Sequence, residues 1–208
     1  MYPFKDVIEN EKDFRDIMGD PGPRVLAKST YHLDAHARAF IKKSPFLLLS
    51  SIGADGQATV SPKGDPNGFV EVLDDHTLLI PERPGNKRAE TFQNILHNPS
   101  IGMIFMVPGK GETLRVSGTA RIVRDEELRN KFEVKGRVPS FLIGIDVGEI
   151  YFHCAKAIHR SKLWKYEQWV DSSDLANLGQ IMVDNGKLAD SKEKMQEIVD
   201  TDARERLY

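Results

Sequence analysis

Cysteine is almost missing from this chain, since Cys154 is the single one among 208 residues, so no disulfide can form within the chain. This usage fits a reducing compartment such as the cytoplasm. The longest apolar runs, such as Phe46–Leu49, are far too short to span a membrane. The stretch Met1–Asp6 lacks the apolar core of a signal peptide. We therefore expect a soluble cytoplasmic protein with no membrane partner.

An excess of charge of either sign is also missing. The chain has 29 basic and 31 acidic residues and a formal net charge of -2. A protein that binds nucleic acid through bulk charge carries a basic excess, so no nucleic-acid partner is expected. The hydrophobic fraction of 40% is enough to bury one core, which favours a single domain with a helical appendage.

The sequence offers no set of residues typical of nucleophilic catalysis or of metal binding. No Ser–His–Asp or Cys–His arrangement stands out, so we predict no catalytic side chain. His153, Cys154 and His159 follow no known ligand spacing. His32 and His36 are four residues apart, as metal-binding pairs on helices are, but a matching third ligand is missing. We predict no metal site, and we expect Cys154 to be a small buried residue at a strand end.

Two hydrophobic periodicities divide the chain. Leu33–Ile41 has apolar residues at helical spacing, whereas Phe46–Phe152 consists of short strands separated by turns. Short strands at regular spacing with one or two inserted helices favour a small closed β-barrel over a parallel sheet. The charged tail again has a helical pattern. We predict an N-terminal helical segment packing on the barrel (1–45), the barrel itself (46–170) and a C-terminal helical extension (171–208).

The local patterns also give expected bounds for the elements. Thr113–Val123 alternates apolar and polar residues, which is typical of a half-buried strand. The other predicted strands are 46–52, 57–61, 69–73, 77–80, 100–107, 141–147 and 149–154, and helices are expected at 86–97 and 125–131.

The segment Pro81–Arg88 joins a buried strand to a predicted helix. Asn86 is in position to cap that helix, with Lys87 and Arg88 in its first turn. Two cations at a helix N-terminus oppose the helix dipole. They become favourable when an anion such as a phosphate docks on the free N–H groups. The alternative is a solvated basic turn that binds nothing.

Six short motifs follow one another in a defined order, namely Ala58–Asp65, Leu79–Pro81, Gly85–Arg88, Asn94–Pro99, Thr113–Gly118 and His159–Trp164. Their combination resembles the flavin-binding split-barrel family related to pyridoxamine 5′-phosphate oxidase. The resemblance implies a mainly β protein with helices: an FMN-binding split β-barrel with a C-terminal helical extension. It also implies a homodimer with two FMN molecules in clefts between the subunits. The implied activity is that of an FMN-dependent oxidoreductase, which passes a hydride between the flavin and a small-molecule substrate or NAD(P)H.

The same resemblance implies which residues approach the cofactor. Lys87 and Arg88, beside Asn86, hold the phosphate. Lys63, together with Ser61, stands where a strand residue of the family approaches the flavin, the alternative being an exposed loop lysine.

Four further residues complete the expected cofactor site. Ile80 and Pro81 are expected along the isoalloxazine edge. Arg115 faces the opposite side of its strand from its apolar neighbours, and it is expected either at the flavin cleft or a dimer partner, or simply exposed. Trp164 is expected to stack over the partner's cleft, the alternative being a core or interface aromatic.

One departure separates this chain from the vitamin oxidases. Their C-terminal pyridoxal-phosphate motif has no clean counterpart here, and the chain continues instead into an added helix. Oxidation of the vitamin is therefore not expected. Two alternatives to the oxidoreductase remain open, namely a non-catalytic flavin-binding or redox-sensing protein, and the same barrel holding a deazaflavin or haem.

Overall fold

A computed structural model describes residues 2–208 and contains one seven-stranded sheet in which every pair of neighbours is antiparallel. The strand order is β2-β1-β5-β6-β7-β4-β3. The strands are β1 Phe46–Ile52, β2 Ala58–Gly64, β3 Glu71–Val72, β4 Thr77–Pro81, β5 Ser100–Met106, β6 Thr113–Val123 and β7 Leu142–His153.

The sheet bends around its main hydrophobic core. Leu47 and Leu49 of β1 belong to the same cluster of buried side chains as Leu78 and Ile80 of β4. Because β1 and β4 are not hydrogen-bonded neighbours, the sheet must curl to bring them together. Phe105 of β5 is fully buried in the same cluster. The predicted fold class, a split β-barrel with added helices, is confirmed.

One prediction about the strands was wrong. The two strands expected on either side of Gly148 form one continuous strand, β7. The irregularity lies in the pairing of β6 with β7, whose register shifts between Val116 and Gly118. A Cβ atom on Gly118 would lie 2.2 Å from the carbonyl oxygen of Asp146. A bulge at a glycine therefore absorbs the local distortion without ending the strand.

The helices differ in how firmly they pack on the barrel. They are α1 Glu11–Met18, α2 Pro23–Leu26, α3 Ala35–Lys43, α4 Glu90–His97, α5 Glu126–Asn130, α6 Lys156–Ser161, α7 Leu178–Gly186 and α8 Lys192–Glu205. Asp34 caps α3 by accepting from the Ala37 N–H at 2.8 Å, and Ala37 and Ile41 are buried in the core. Helices α1 and α2 bury no side chain.

The last two helices form a hairpin. The Gly179 N–H of α7 donates to the Gln196 side chain of α8 at 2.8 Å, and a Cβ on Gly179 would lie 2.4 Å from the Gln196 nitrogen. Glycine thus lets the two helices approach closely. Over residues 2–208, none of the helices is both long enough and apolar enough to cross a bilayer.

Candidate functional site

A cleft of about 1350 Å³ opens beside β2 and the loop that joins β4 to α4. A ligand pocket for one drug-sized molecule occupies roughly 300–1,000 Å³, so this cleft has room for a cofactor and a second small molecule. Its walls are formed by residues 60–64, 81–92 and 137–141, with Phe69, Leu96, Ile122 and Tyr208.

The basic loop on one wall differs from the sequence prediction. Helix α4 begins at Glu90, so Lys87 and Arg88 lie in the loop before the helix and not in its first turn. Asn86 does not cap α4, because its Oδ1 accepts from the Arg88 N–H at 3.0 Å. Lys87 and Ala89 have φ values of 60° and 51°, a left-handed backbone that delays the start of the helix.

This loop leaves α4 without a side-chain cap. The N-cap residue is Ala89, which has no side-chain oxygen to accept from the first turn. The first N–H groups of a helix have no partner inside the helix. Arg88, whose side chain is 75% exposed, pairs with Glu90 at 3.3 Å, and Lys87 takes part in no salt bridge within residues 2–208. The uncapped N-terminus of α4 and two exposed cations therefore meet at one wall of the cleft.

A second charged pair lines the cleft where β2 faces the end of β4. The Lys63 Nζ lies 3.9 Å from the Glu82 Oε2, and both side chains are mostly buried. Burial raises the pKa of Glu82, and the nearby Lys63 ammonium opposes that rise. The Glu82 N–H donates to the Phe141 carbonyl at 3.0 Å, which fixes the backbone here. Glu82 was not among the predicted site residues.

The raised pKa of Glu82 predicts a pH-dependent effect on stability. A carboxyl whose folded-state pKa lies above its unfolded value stabilises the fold at low pH, and that contribution is lost as pH rises through the folded value. The stability of Glu82→Gln relative to the wild type should therefore rise as the pH increases from 5 to 8. Urea denaturation at several pH values measures this difference.

Glu112, a carboxyl whose pKa is shifted in the opposite direction, provides a control for the same experiment. A hydrogen bond from its own backbone N–H, followed by that from Lys110, lowers the pKa of Glu112. The stability that a lowered pKa contributes is complete above the unfolded value and is lost only as pH falls below it. Glu112→Gln should consequently keep a constant stability relative to the wild type between pH 5 and pH 8. A Glu82→Gln variant that also shows no gain over this range would contradict a net cost of burying the Glu82 carboxylate beside Lys63.

Arg83, which lines the cleft, belongs to a further ion pair, and its partner Asp65 was missed by sequence reasoning. The Asp65 carboxylate, with a side chain only 2% exposed, pairs with the Arg83 Nε at 2.6 Å. It also accepts a hydrogen bond from the Tyr208 hydroxyl at 2.7 Å. Arg83 in turn donates to the Phe132 carbonyl at 2.9 Å. These partners are up to 143 residues apart in the chain, and no local pattern connects them.

Six of the nine predicted cofactor-binding residues line the cleft, namely Ser61, Lys63, Pro81, Asn86, Lys87 and Arg88. The other three do not. Ile80 is 1% exposed, and its side chain lies in the barrel core.

Arg115 and Trp164 also lie outside the cleft. Arg115 pairs with Glu149 and lies over the Tyr151 ring at 5.2 Å, while its buried Nε has no hydrogen-bond partner among residues 2–208. The Trp164 Nε1 donates to the Lys110 carbonyl at 2.7 Å. Contact of either residue with a cofactor would require a second subunit, so their roles remain predictions.

The histidine and cysteine cluster shows one difference from expectation. Cys154 is exposed, not buried, because it lies just beyond the end of β7. A hydrogen bond from the Lys156 N–H lowers the pKa of this thiol. Within residues 2–208, no group of three His, Cys, Asp or Glu side chains could hold a metal ion.

The chain is similar in structure to several solved proteins. HupZ from Group A Streptococcus is 22% identical, with a TM-score of 0.48 over 57% of this chain and 92% of its own. General stress protein 26 from Bacillus anthracis is 20% identical, with a TM-score of 0.43 over 55% and 88%. The haem storage protein HutZ from Vibrio cholerae is 19% identical, with a TM-score of 0.42 over 59% and 96%.

A comparison with curated proteins finds no match. The family model for pyridoxamine 5′-phosphate oxidase, in contrast, matches residues 33–154. That region contains all seven strands of the sheet, β1 to β7. It also includes the cleft walls formed by β2, the β4–α4 loop and residues 137–141. Since the match covers more than half of the 208 residues, the chain belongs to the pyridoxamine 5′-phosphate oxidase family.

Proposed function

We propose that this protein binds FMN in the cleft and acts as a flavin-dependent oxidoreductase on a small molecule. One observation carries the proposal: the uncapped N-terminus of α4 and the two cations before it, Lys87 and Arg88, converge on a cleft of about 1350 Å³. Backbone N–H groups, a helix dipole and adjacent cations are the groups that bind a phosphate.

The remaining cleft residues fit the rest of the cofactor. Apolar side chains for a flat ring system are present in Phe69, Phe92 and Ile122, together with Val138 and Phe141. Most of the polar and charged groups of the cleft lie in the segment 82–91, and the others are Ser61, Lys63, Arg137, Ser140 and Tyr208. Lys63 supplies a positive charge that favours a reduced, anionic flavin, and Glu82 partly offsets that charge.

The cofactor and the cleft residues have separate roles in this proposal. The flavin, when bound, supplies two-electron chemistry, so no side chain is needed as a nucleophile. Lys87 and Arg88 bind the phosphate, and Lys63 sets the electrostatic potential at the cleft. Glu82, with its raised pKa, holds or accepts a proton at its carboxylate near the same place. The apolar wall excludes water from the reacting groups.

Anaerobic mixing of the FMN-loaded protein with NADH or NADPH tests the activity. Bleaching of the flavin absorbance, followed by its return when an electron acceptor is added, would support the oxidoreductase. A protein that holds stoichiometric FMN and undergoes no reduction by either nucleotide or by a panel of small reductants would instead be a flavin carrier or redox sensor.

Lys63→Met provides a prediction for the cofactor's potential. The variant keeps most of the stem volume and removes the charge. An electrostatic effect on the order of 1–2 kcal/mol corresponds to tens of millivolts for a two-electron couple. We expect the potential of bound FMN to fall by that amount in a spectroelectrochemical titration. An unchanged potential at full FMN occupancy would mean that Lys63 does not act on the flavin.

We also propose that the protein is a homodimer. Phe46 and Leu48 on the outer face of β1 pair with Met106 and Ile104 of β5, so that four apolar side chains lie together outside the barrel. Phe46 is 36% exposed, and the other three are partly exposed. A contiguous apolar patch of this kind is typical of a protein interface. A second copy would cover it.

Sedimentation equilibrium at micromolar concentration tests the dimer. The wild type should sediment as a dimer, and Ile104→Arg should shift it toward the monomer because a charge would be buried at the interface. Ile17→Arg serves as a control, since Ile17 is 76% exposed and belongs to α1 and not to β1 or β5. A wild-type monomer that retains stoichiometric FMN would contradict a cleft shared between subunits.

A further inference from the structure

The side chain of Tyr208 forms part of the cleft wall, although α8 ends at Glu205 and the intervening residues are exposed. Its hydroxyl donates to the Asp65 carboxylate at 2.7 Å. The Arg83 guanidinium carbon and the Lys135 Nζ each lie 5.5 Å from the centre of its ring. Arg137 donates to its carbonyl oxygen. The hydroxyl, the aromatic ring and the backbone carbonyl of Tyr208 are therefore each contacted by a different residue.

Each of these contacts would recognise one chemical group in a molecule bound at the same place. Asp65 is a buried acceptor that is oriented by Arg83 at 2.6 Å, so it favours a hydroxyl donor over a bare ring edge. Two cations near the ring favour an aromatic π-system. Arg137 donates to the oxygen of a carbonyl group, which in Tyr208 is separated from the ring by two carbon atoms. The hydrogen bond to Asp65 raises the pKa of Tyr208, so the phenol stays protonated and remains a donor.

We propose that this end of the cleft is a subsite for 4-hydroxyphenyl carboxylates and that Tyr208 occupies it in cis. A free compound of this class would bind by displacing the Tyr208 side chain. The further role of such a compound as the substrate rests on the proposed flavin function, whereas its binding does not. The size of the cleft, about 1350 Å³, leaves room for this subsite beside the phosphate-binding loop.

The simplest probe is 3-(4-hydroxyphenyl)propionate, which has the tyrosine ring and hydroxyl, with a carboxylate at the position of the tyrosine carbonyl. A tethered side chain competes at a high effective concentration, so the wild type should bind the free probe weakly. Tyr208→Ala removes the competitor. Isothermal titration of the flavin-free protein should show that Tyr208→Ala binds the probe at least about tenfold more tightly than the wild type.

Two comparisons test whether the subsite recognises the hydroxyl and the carboxylate of the probe or only offers an empty volume. In the Tyr208→Ala protein, 3-phenylpropionate should bind at least about tenfold more weakly than the probe, because it lacks the hydroxyl that meets Asp65. Adding Arg137→Gln should weaken probe binding by a similar factor. Adding Arg121→Gln instead should leave it unchanged, since Arg121 pairs with Asp146 outside the cleft and its side chain is 76% exposed.

The proposal would be overturned if Tyr208→Ala showed no saturable binding of the probe up to its solubility limit, or bound both compounds equally. Should that variant lose stability, Tyr208→Phe provides the same test, because it leaves Asp65 without its hydroxyl donor and should bind the probe more tightly than the wild type. The experiment uses protein without flavin, so failure here leaves the FMN proposal untouched. Failure of FMN to bind would likewise leave this subsite untouched.

Discussion

Replacing Lys87 and Arg88 together by Ala is expected to weaken FMN binding by about 3–6 kcal/mol while leaving the fold intact. The figure follows from two charged contacts to a phosphate at about 1.5–3 kcal/mol each. Both side chains are exposed in the loop before α4, so their removal opens no cavity in the core. Fluorescence titration of the apoprotein with FMN measures the change.

Riboflavin and a second pair of cations provide the controls for this experiment. Riboflavin lacks the phosphate, so its affinity should change much less in the same double variant. Lys42→Ala with Lys43→Ala removes two exposed cations from α3, outside the cleft, and should leave FMN affinity unchanged. Equal losses for FMN and riboflavin in the Lys87 and Arg88 variant would show that these cations do not bind the phosphate.

Asp65→Ala is expected to lower the free energy of unfolding by about 3–5 kcal/mol, because it leaves the mostly buried Arg83 guanidinium without its counter-charge. Asp75→Ala is the matched control. Asp75 also pairs with an arginine, Arg38, at 2.5 Å, but its side chain is 71% exposed. Exposed pairs of this kind contribute about 0–1 kcal/mol. Urea denaturation measures both variants, and similar losses would mean that burial does not strengthen the Asp65 pair.

Most of the barrel could be predicted from local sequence patterns. The bounds of β1 and β6 match the prediction, because alternating or continuous apolar residues between turn signals are a property of the strand itself. The order of the motifs predicted the family, which the family model confirms over residues 33–154.

Features that depend on distant residues could not be predicted in this way. The break expected at Gly148 is bridged by pairing with β6, which lies more than twenty residues earlier in the chain. The delayed start of α4 follows from a left-handed backbone at Lys87 and Ala89, residue types that do not favour that conformation. The sequence therefore indicated the basic loop but not the uncapped helix end beside it, on which the proposed phosphate site depends.

The candidate site was predicted in part for the same reason. Ser61, Lys63 and the Asn86–Arg88 segment were found because each belongs to a short motif. Glu82 was missed because its significance comes from burial beside Lys63, and Asp65 because its partners lie 18 and 143 residues away. Patterns within one element do not carry such information.

Titration of the flavin-free protein with FMN, followed by absorbance, tests the central claim most directly. The account predicts saturation at one FMN per chain, with flavin bands shifted from those of the free cofactor. Riboflavin should bind at least about 100-fold more weakly, since the phosphate contacts are missing. Protein that does not bind FMN but forms a sharp Soret band with haem would contradict the account, as would equal affinity for FMN and riboflavin.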